Sequence, residues 1–150
     1  MAISASSTRR AARETALRVL YMVEVGKTPL DEALDETIAA NELDDAGNDY
    51  VHKLVGATLK HQAALDRILK QHATGFPPER QQVVDRAILR LSIAELTDES
   101  SETPAGVVAN EAVELAKKYS TPEAAKFING VLGAVIRERE THDTPESPDV

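Results

Sequence analysis

Apolar residues recur at intervals of three and four along most of the chain, which is the spacing of amphipathic helices. No alternating run typical of a β-strand competes with them. Proline follows threonine at three of the predicted helix starts. The apolar pattern of residues 49–69 is long for one helix, and we expect that helix to bend at Gly56 or near His61. The pattern predicts helices at about residues 8–25, 29–41, 49–69, 78–97, 104–119 and 122–137.

The densest apolar segment, Val83–Leu96, is unusual because a helical projection places apolar side chains on two opposite faces. One stripe runs through Ile88 and Leu91, and the other runs through Leu89 and Ile93. A helix that is apolar on two faces must be covered on two faces. We therefore expect this helix to lie at the centre of the fold, with its polar residues reaching solvent, each other or a partner.

Composition predicts an all-α fold with an aliphatic core. Aromatic residues make up 3% of the 150 residues and tryptophan is absent, whereas the helix-favouring residues alanine, leucine, glutamate and arginine are abundant. Cysteine is absent, which excludes disulfides, thiolate catalysis and cysteine metal sites. The N-terminus lacks the apolar core of a signal peptide, and no run approaches the ~18 apolar residues of a membrane span. These features predict a soluble, cytoplasmic protein.

The net charge of −8 disfavours a nucleic-acid partner at first sight, but the charge is unevenly distributed along the chain. Residues 1–20 contain four arginines and one glutamate, whereas residues 138–150 contain five acidic residues and one arginine. The chain therefore begins basic and ends acidic. The acidic stretch, residues 139–150, is too polar to join a core, and we expect it to be disordered.

Arg9, Arg10, Arg13 and Tyr21 fall on one face of the first predicted helix. Arginine offers phosphates a planar, permanently charged group, and an aromatic ring offers a surface on which a base can stack. This combination favours RNA as a ligand. A solvated helix start explains the same residues without any ligand, and the pattern alone leaves both interpretations open.

No set of residues predicts an active site or a metal site. The four histidines lack the i, i+4 partner of a helical zinc site, and no phosphate-binding glycine loop is present. Glu111 and Glu114 are followed by Lys117 and Lys118, which predicts ordinary ion pairs within one helix. Gly130 falls inside the last helix, where we expect it to allow close packing of another backbone; ligand binding is the alternative.

Four motifs carry a family resemblance. They are Arg9-Arg10-x-x-Arg13-Glu14 continuing to Tyr21, Val84–Leu91 continuing to Glu95-Leu96, Asn110–Tyr119, and Lys126–Leu132. In this order and spacing the chain resembles the NusB family of transcription antitermination factors over roughly residues 8–137. The last two motifs are specific to that family.

The resemblance implies an all-α, NusB-like bundle of about seven helices in one domain, residues 8–138, with packed subdomains at 8–74 and 76–138. It implies a binding protein with no cofactor, no metal and no enzymatic activity. Family members pair with NusE, a small-subunit ribosomal protein, and bind the boxA element of nascent ribosomal RNA. They help RNA polymerase read through terminators, and because some are dimers, a homodimer is an alternative assembly.

The resemblance also implies two surfaces, one for RNA and one for NusE. Cations would position the RNA backbone and an aromatic would stack an unpaired base, while carboxylates would meet a basic ribosomal protein. The residues implied for RNA are Arg9, Arg10, Arg13, Glu123, Lys126 and Phe127. Those implied for NusE are Tyr21, Glu79 and Asp85, with Arg86 and Arg90 nearby.

Two other functions are compatible with parts of the sequence. A NusB-like domain also precedes the catalytic domain of certain RNA cytosine methyltransferases, but this sequence contains no glycine-rich cofactor-binding unit. A helical protein-interaction module without an RNA role is the second alternative. Ala11 and Ala12 interrupt the arginine-rich start that the family often shows, so we expect weak binding to RNA alone and competent binding in the complex with NusE.

Overall fold

Helices account for nearly all regular structure in the computed structural model, which describes residues 5–41, 43–73 and 75–143. No strand occurs within these ranges, so the predicted all-α fold is confirmed, and none of the helices described is long and apolar enough to cross a membrane. The helices are α1 (Ala5–Glu24), α2 (Leu30–Asn41), α3 (Asp45–Lys60), α4 (Gln62–His72), α5 (Val83–Thr97), α6 (Ala105–Tyr119) and α7 (Pro122–Asp143). A 3₁₀ turn, Pro78–Arg80, precedes α5.

Local sequence explains several helix boundaries. The side chain of Asp44 caps α3 by accepting a hydrogen bond from the Gly47 backbone nitrogen at 2.7 Å. Thr121 accepts a hydrogen bond from the Ala124 backbone nitrogen at 3.0 Å in the same way at the start of α7. The long third predicted helix is divided at His61, one of the two bends expected.

Two boundaries differ from the prediction. α5 begins at Val83 and not near Pro78, because Pro78 opens a 3₁₀ turn and the backbone at Gln82 is extended. α7 continues to Asp143, so residues 139–143 are helical and not disordered. Arg139 and Glu140 favour helix, and no proline or glycine interrupts α7 between Gly133 and Pro145. The predicted disorder of residues 144–150 lies outside the described residues.

α5 is the centre of the bundle. It packs against α1, α3, α4, α6 and α7. Ile88, Leu89, Leu91 and Ile93 are at most 2% exposed, so both apolar stripes are buried. The expectation of a central helix covered on two faces is therefore confirmed.

α4 packs with the C-terminal helices. Its Leu65 and Leu69 are buried, and the helix contacts α5 and α7 more extensively than it contacts α3. The boundary between the two groups of helices therefore falls at His61, and α1–α3 face α4–α7. The division into subdomains 8–74 and 76–138 that the resemblance implies stays a prediction; a tight turn without proline or glycine at His61 gives the sequence no signal of a boundary there.

A buried ion pair joins the two groups of helices. Arg13 on α1 donates two hydrogen bonds to Glu95 on α5, at 2.9 and 2.6 Å, and the Tyr50 hydroxyl on α3 donates to the same carboxylate at 2.5 Å. We call these three residues the Arg13 cluster. Burial opposes ionisation of Glu95, but hydrogen bonds from Arg13 and Tyr50 outweigh it and lower the pKa of the carboxyl. The cluster therefore fixes α1 and α3 to α5 through a charged pair.

Replacing Arg13 with alanine is expected to lower the free energy of unfolding by about 3–5 kcal/mol, because Glu95 stays buried without its partner. Urea denaturation followed by circular dichroism measures the loss. The double variant Arg13→Met/Glu95→Gln should cost less than the sum of the two single variants, since it leaves no charge unpaired and the new amide oxygen can still accept from Tyr50.

The matched control is Arg10→Ala, one turn earlier on α1. Its side chain is 58% exposed, so its ion pair with Glu111 is screened by solvent and its loss should cost much less. Equal destabilisation by the two alanine variants would contradict a stabilising role for the Arg13 cluster.

Candidate RNA and partner surfaces

The three arginines near the start of α1 have different surroundings. Arg13 is buried in the Arg13 cluster, with its side chain 6% exposed. The guanidinium carbon of Arg9 lies 5.8 Å from the centre of the Tyr50 ring, within cation–π range. Arg10 donates two hydrogen bonds to Glu111 on α6, at 2.9 and 2.8 Å, and still remains largely exposed. The structure therefore corrects the assignment of Arg13 to an RNA surface, because ion pairing draws its guanidinium inside.

Further polar contacts fasten α1 to α6. Glu14 on α1 accepts a hydrogen bond from Lys118 at 2.7 Å and another from the hydroxyl of Tyr119. Burial opposes ionisation of Glu14, but hydrogen bonds from Lys118 and Tyr119 lower the pKa of its carboxyl. Arg18 also donates to the Tyr119 hydroxyl, at 3.0 Å. These contacts place the outer face of α6 directly beside Arg10.

The predicted ion pairing within α6 is only partly correct. Lys117 pairs with Glu114 inside the helix at 3.5 Å, but Glu111 pairs with Arg10 and Lys118 pairs with Glu14 on α1. The α1 and α6 partners are about a hundred residues apart, so no spacing in the sequence indicates that they meet. α6 is therefore part of the charged surface, which the sequence interpretation missed.

Two grooves run along the sides of α6. The α1–α6 groove, about 410 Å³, contains Arg10 and Lys118. The α6–α7 groove, about 720 Å³, contains Lys126 and Asn129. Lys117 lines both grooves and its side chain is 60% exposed. Arg10 on α1 and Lys126 on α7 therefore lie on the two sides of α6, with Lys117 between them.

The start of α7 presents a charged and aromatic surface. Glu123 and Lys126 are exposed, whereas Phe127 is half-buried. The Phe127 ring meets Phe76 edge to face, with ring centres 5.5 Å apart at an angle of 82°. Phe76 precedes the 3₁₀ turn and is 43% exposed. Phe76 is thus the more accessible ring of the pair, and the sequence interpretation did not assign it, because a single aromatic in a Gly/Pro-rich break carries no periodic signal.

Gly130 on α7 faces solvent. A Cβ atom built there would meet no atom within 4 Å, so the expected close packing of another backbone is wrong. At about 100° per residue, Gly130 lies between Lys126 and Phe127 around the helix. The missing side chain leaves this part of the α7 surface open to a ligand.

Asp85 and Arg90 are not available to a protein partner in this structure. Asp85 is 8% exposed, and its carboxylate accepts a hydrogen bond from the Ser120 hydroxyl at 2.6 Å. Arg90 is 9% exposed and donates two hydrogen bonds to Asp66 on α4, at 2.7 and 2.8 Å. The structure corrects both assignments, since each side chain is held by a partner from another helix or turn of the bundle.

Arg86 connects the end of α1 to the 3₁₀ turn. Its guanidinium forms an ion pair with Glu24 and donates to the Pro78 carbonyl at 2.9 Å, and its side chain is mostly buried. Tyr21, one turn before Glu24, is 43% exposed, and Glu79, which follows Pro78, is also exposed. Tyr21 and Glu79 therefore lie near the same end of the molecule, and Arg86 links the two segments that carry them.

The bundle and its motifs match a known family. The sequence model of the NusB family matches residues 10–137, from the exposed arginine of α1 to the end of the α7 core. The chain belongs to the NusB family. Transcription antitermination protein NusB from Elusimicrobium minutum (strain Pei191) is 39% identical over 135 residues, which cover 88% of this chain and 95% of the relative. The protein of the same name from Symbiobacterium thermophilum is 37% identical over 138 residues, which cover 87% of this chain and 90% of the relative.

Solved structures share both fold and sequence with the chain. The structure described as a plectonemic RNA supercoil aligns with a TM-score of 0.82 and 35% identity, over 89% of this chain and 97% of that chain. The structure of antitermination factors NusB and NusE in complex with dsRNA aligns with a TM-score of 0.78 and 34% identity, over 87% of this chain and 97% of that chain. The predicted NusB-like bundle of about seven helices is confirmed.

Proposed function

We propose that this protein is a transcription antitermination factor that binds boxA RNA of nascent ribosomal RNA together with NusE, within an RNA polymerase antitermination complex. It acts in the cytoplasm by binding and not as an enzyme. The observation that carries the proposal is an accessible cationic surface across α1, α6 and α7 in a chain whose net charge is −8. Two kinds of similarity support it: NusB relatives are antitermination proteins, and one homologous structure contains NusB, NusE and RNA.

The proposed RNA surface begins with Arg9 and Arg10 on α1 and ends with Glu123, Lys126 and Phe127 on α7. Arginine and lysine position the phosphates, and the half-buried ring of Phe127, beside the more exposed ring of Phe76, offers a face on which an unpaired base can stack. Glu123 can accept a hydrogen bond from a base amino group. Because Arg10 shares its charge with Glu111, the surface is only moderately positive, which explains why NusE would be needed for tight binding.

The proposed NusE surface lies at the end of α1 and the 3₁₀ turn. Tyr21 and Val25 are 43% and 47% exposed, which gives an aromatic anchor beside an aliphatic one. Glu79 adds a carboxylate that attracts a basic ribosomal protein. Arg86 holds the two segments together through Glu24 and the Pro78 carbonyl.

Replacing Arg9 and Arg10 together with alanine should weaken boxA binding by the complex with NusE, because two phosphate contacts are lost. The slope of log K against log salt should fall by about 1.4, or about 0.7 for each phosphate of a single strand. Fluorescence anisotropy at several salt concentrations measures both quantities. Arg67→Ala/Lys70→Ala is the matched control, since it removes two exposed cations from α4.

Unchanged affinity and slope in the Arg9/Arg10 variant would contradict the α1 part of the RNA surface. If the wild-type protein bound NusE but added nothing to the binding of boxA by NusE, the protein-interaction module without an RNA role would replace the proposal.

Tyr21→Ala should weaken binding to NusE by about 2 kcal/mol, or about thirtyfold in Kd, as expected for an aromatic anchor at an interface. Glu79→Lys should also weaken it, because the charge facing a basic partner is reversed. Isothermal titration calorimetry measures both effects. Glu36→Lys on α2 makes the same charge change at another exposed position and should leave the Kd unchanged; equal Kd values for the Glu79 and Glu36 variants would refute the Glu79 contact.

A further inference from the structure

The α6–α7 groove adjoins the proposed RNA surface and shares only Lys126 with the RNA residues named above. Its volume is about 720 Å³. Val113 and Ala125 form its floor, together with other small apolar residues; Val113 is partly buried and Ala125 is buried. The polar residues that line it are Asn110 and Lys117 on α6, and Lys126 and Asn129 on α7.

The polar groups of the groove are free to bind a ligand. The side chains of Asn110 and Asn129 are exposed, and neither forms a hydrogen bond to any residue that the structure describes. Lys126 forms no ion pair within the described ranges, and Lys117 holds Glu114 only at 3.5 Å. The groove therefore offers two amides, which can donate and accept hydrogen bonds, and two accessible cations above an apolar floor.

The charge of this groove differs from that of the neighbouring clefts. No aspartate or glutamate is among the described residues that line it. Glu14, Glu111 and Glu114 line the α1–α6 groove, and Asp98 and Glu102 line the cleft beside Arg9. In a chain with a net charge of −8, the α6–α7 groove is thus a local site that favours phosphate.

We propose that the α6–α7 groove holds unpaired nucleotides of the bound RNA. The nucleobases would pack on the groove floor at Val113 and Ala125, and their edges would bond to Asn110 and Asn129. The phosphates would lie at Lys117 and Lys126. This inference rests on the proposed function and extends base recognition from Glu123 and Phe127 on α7 to the groove between α6 and α7. Proteins bind unpaired bases by packing aromatic or apolar side chains against the base faces and by hydrogen bonds to the exposed base edges.

Size and continuity favour RNA over other occupants. Asn110 and Lys117 are seven residues apart on α6, or about 10 Å, which is the length of about three stacked nucleotides at 3.4 Å each. Lys117 also lines the α1–α6 groove with Arg10, so a strand that leaves the α1 arginines can continue into the α6–α7 groove. A second copy of this acidic chain is disfavoured by its charge, and the proposed NusE surface lies at the end of α1.

The test is a comparison of two charge-neutral double variants. Asn110→Ala/Asn129→Ala removes both groove amides, and alanine at exposed helical positions keeps the fold. Gln71→Ala/Gln82→Ala removes two exposed amides elsewhere and is the matched control. Binding of a single-stranded boxA oligonucleotide in the presence of NusE is measured by fluorescence anisotropy at several salt concentrations.

The groove variant should bind the oligonucleotide about tenfold more weakly than the control, with the same salt slope, because only neutral hydrogen bonds are lost. An oligonucleotide in which the boxA nucleotides are abasic should bind the two variants equally. Both results together support base recognition in the groove, whereas a tenfold loss that persists with the abasic oligonucleotide would overturn it.

Other outcomes also overturn the inference and separate it from the proposed function. If the groove variant bound boxA like the control while Arg9→Ala/Arg10→Ala weakened binding, the groove would be excluded and the proposed function would stand. If wild-type protein with NusE bound no boxA, both would fail. Weaker binding of the groove variant to NusE without RNA would make the groove a protein site. Loss of a wild-type dimer in the groove variant, seen by sedimentation velocity, would make it a self-association site.

Discussion

The buried pair of Arg13 and Glu95 constrains the whole molecule. A charged carboxylate and a guanidinium inside a helical bundle are tolerated only when both are present and their hydrogen bonds are made, and here the Tyr50 hydroxyl completes the set. Each of the three residues belongs to a different helix. Together with the buried α1 residues Ala12, Ala16 and Val19, the pair fixes the rotation of α1 about its own axis relative to α3 and α5.

That rotation determines where the other two arginines lie. At about 100° per residue, Arg9 and Arg10 fall about 40° and 60° from Arg13 on opposite sides of the helix. With Arg13 turned inward, Arg9 lies against the Tyr50 ring beside α3, and Arg10 lies against Glu111 on α6. The buried face of α1, with Arg13 on it, thus leaves Arg9 and Arg10 on two sides of the helix. The proposed RNA path from α1 across α6 to α7 follows from that distribution.

The balance of charge gives a physical reason for a shared RNA site. Glu111 and Glu14 bind cations of α1 and α6, so part of the positive charge stabilises the contact between these helices and is unavailable to phosphate. A chain with a net charge of −8 gains little from long-range attraction to RNA. A basic partner bound at Tyr21 and Glu79 would supply the missing charge only through its own contacts with the RNA, because salt screens charges separated by more than about 8 Å.

Helical periodicity was sufficient to predict most of the helices, their order and the central position of α5, because each of these depends on residues three and four apart. Pairings across the fold left no such signal. Arg10 and Arg13 look alike in the sequence, and only the carboxylates on α6 and α5 distinguish the exposed arginine from the buried one. Asp85 carries no sequence signal of its hydrogen bond with Ser120, and Gly130 faces solvent although its position in the helix predicts packing.

The most direct test of this arrangement is NMR of the arginine side-chain Nε–Hε groups during titration with boxA RNA in the presence of NusE. The signals of Arg9 and Arg10 should shift as RNA binds. The signal of Arg13 should exchange slowly with solvent and stay in place, because its guanidinium remains bound to Glu95. A shift of the Arg13 signal comparable to those of Arg9 and Arg10, with loss of its protection, would show that Arg13 leaves the interior to bind RNA and would contradict the structural role assigned to it.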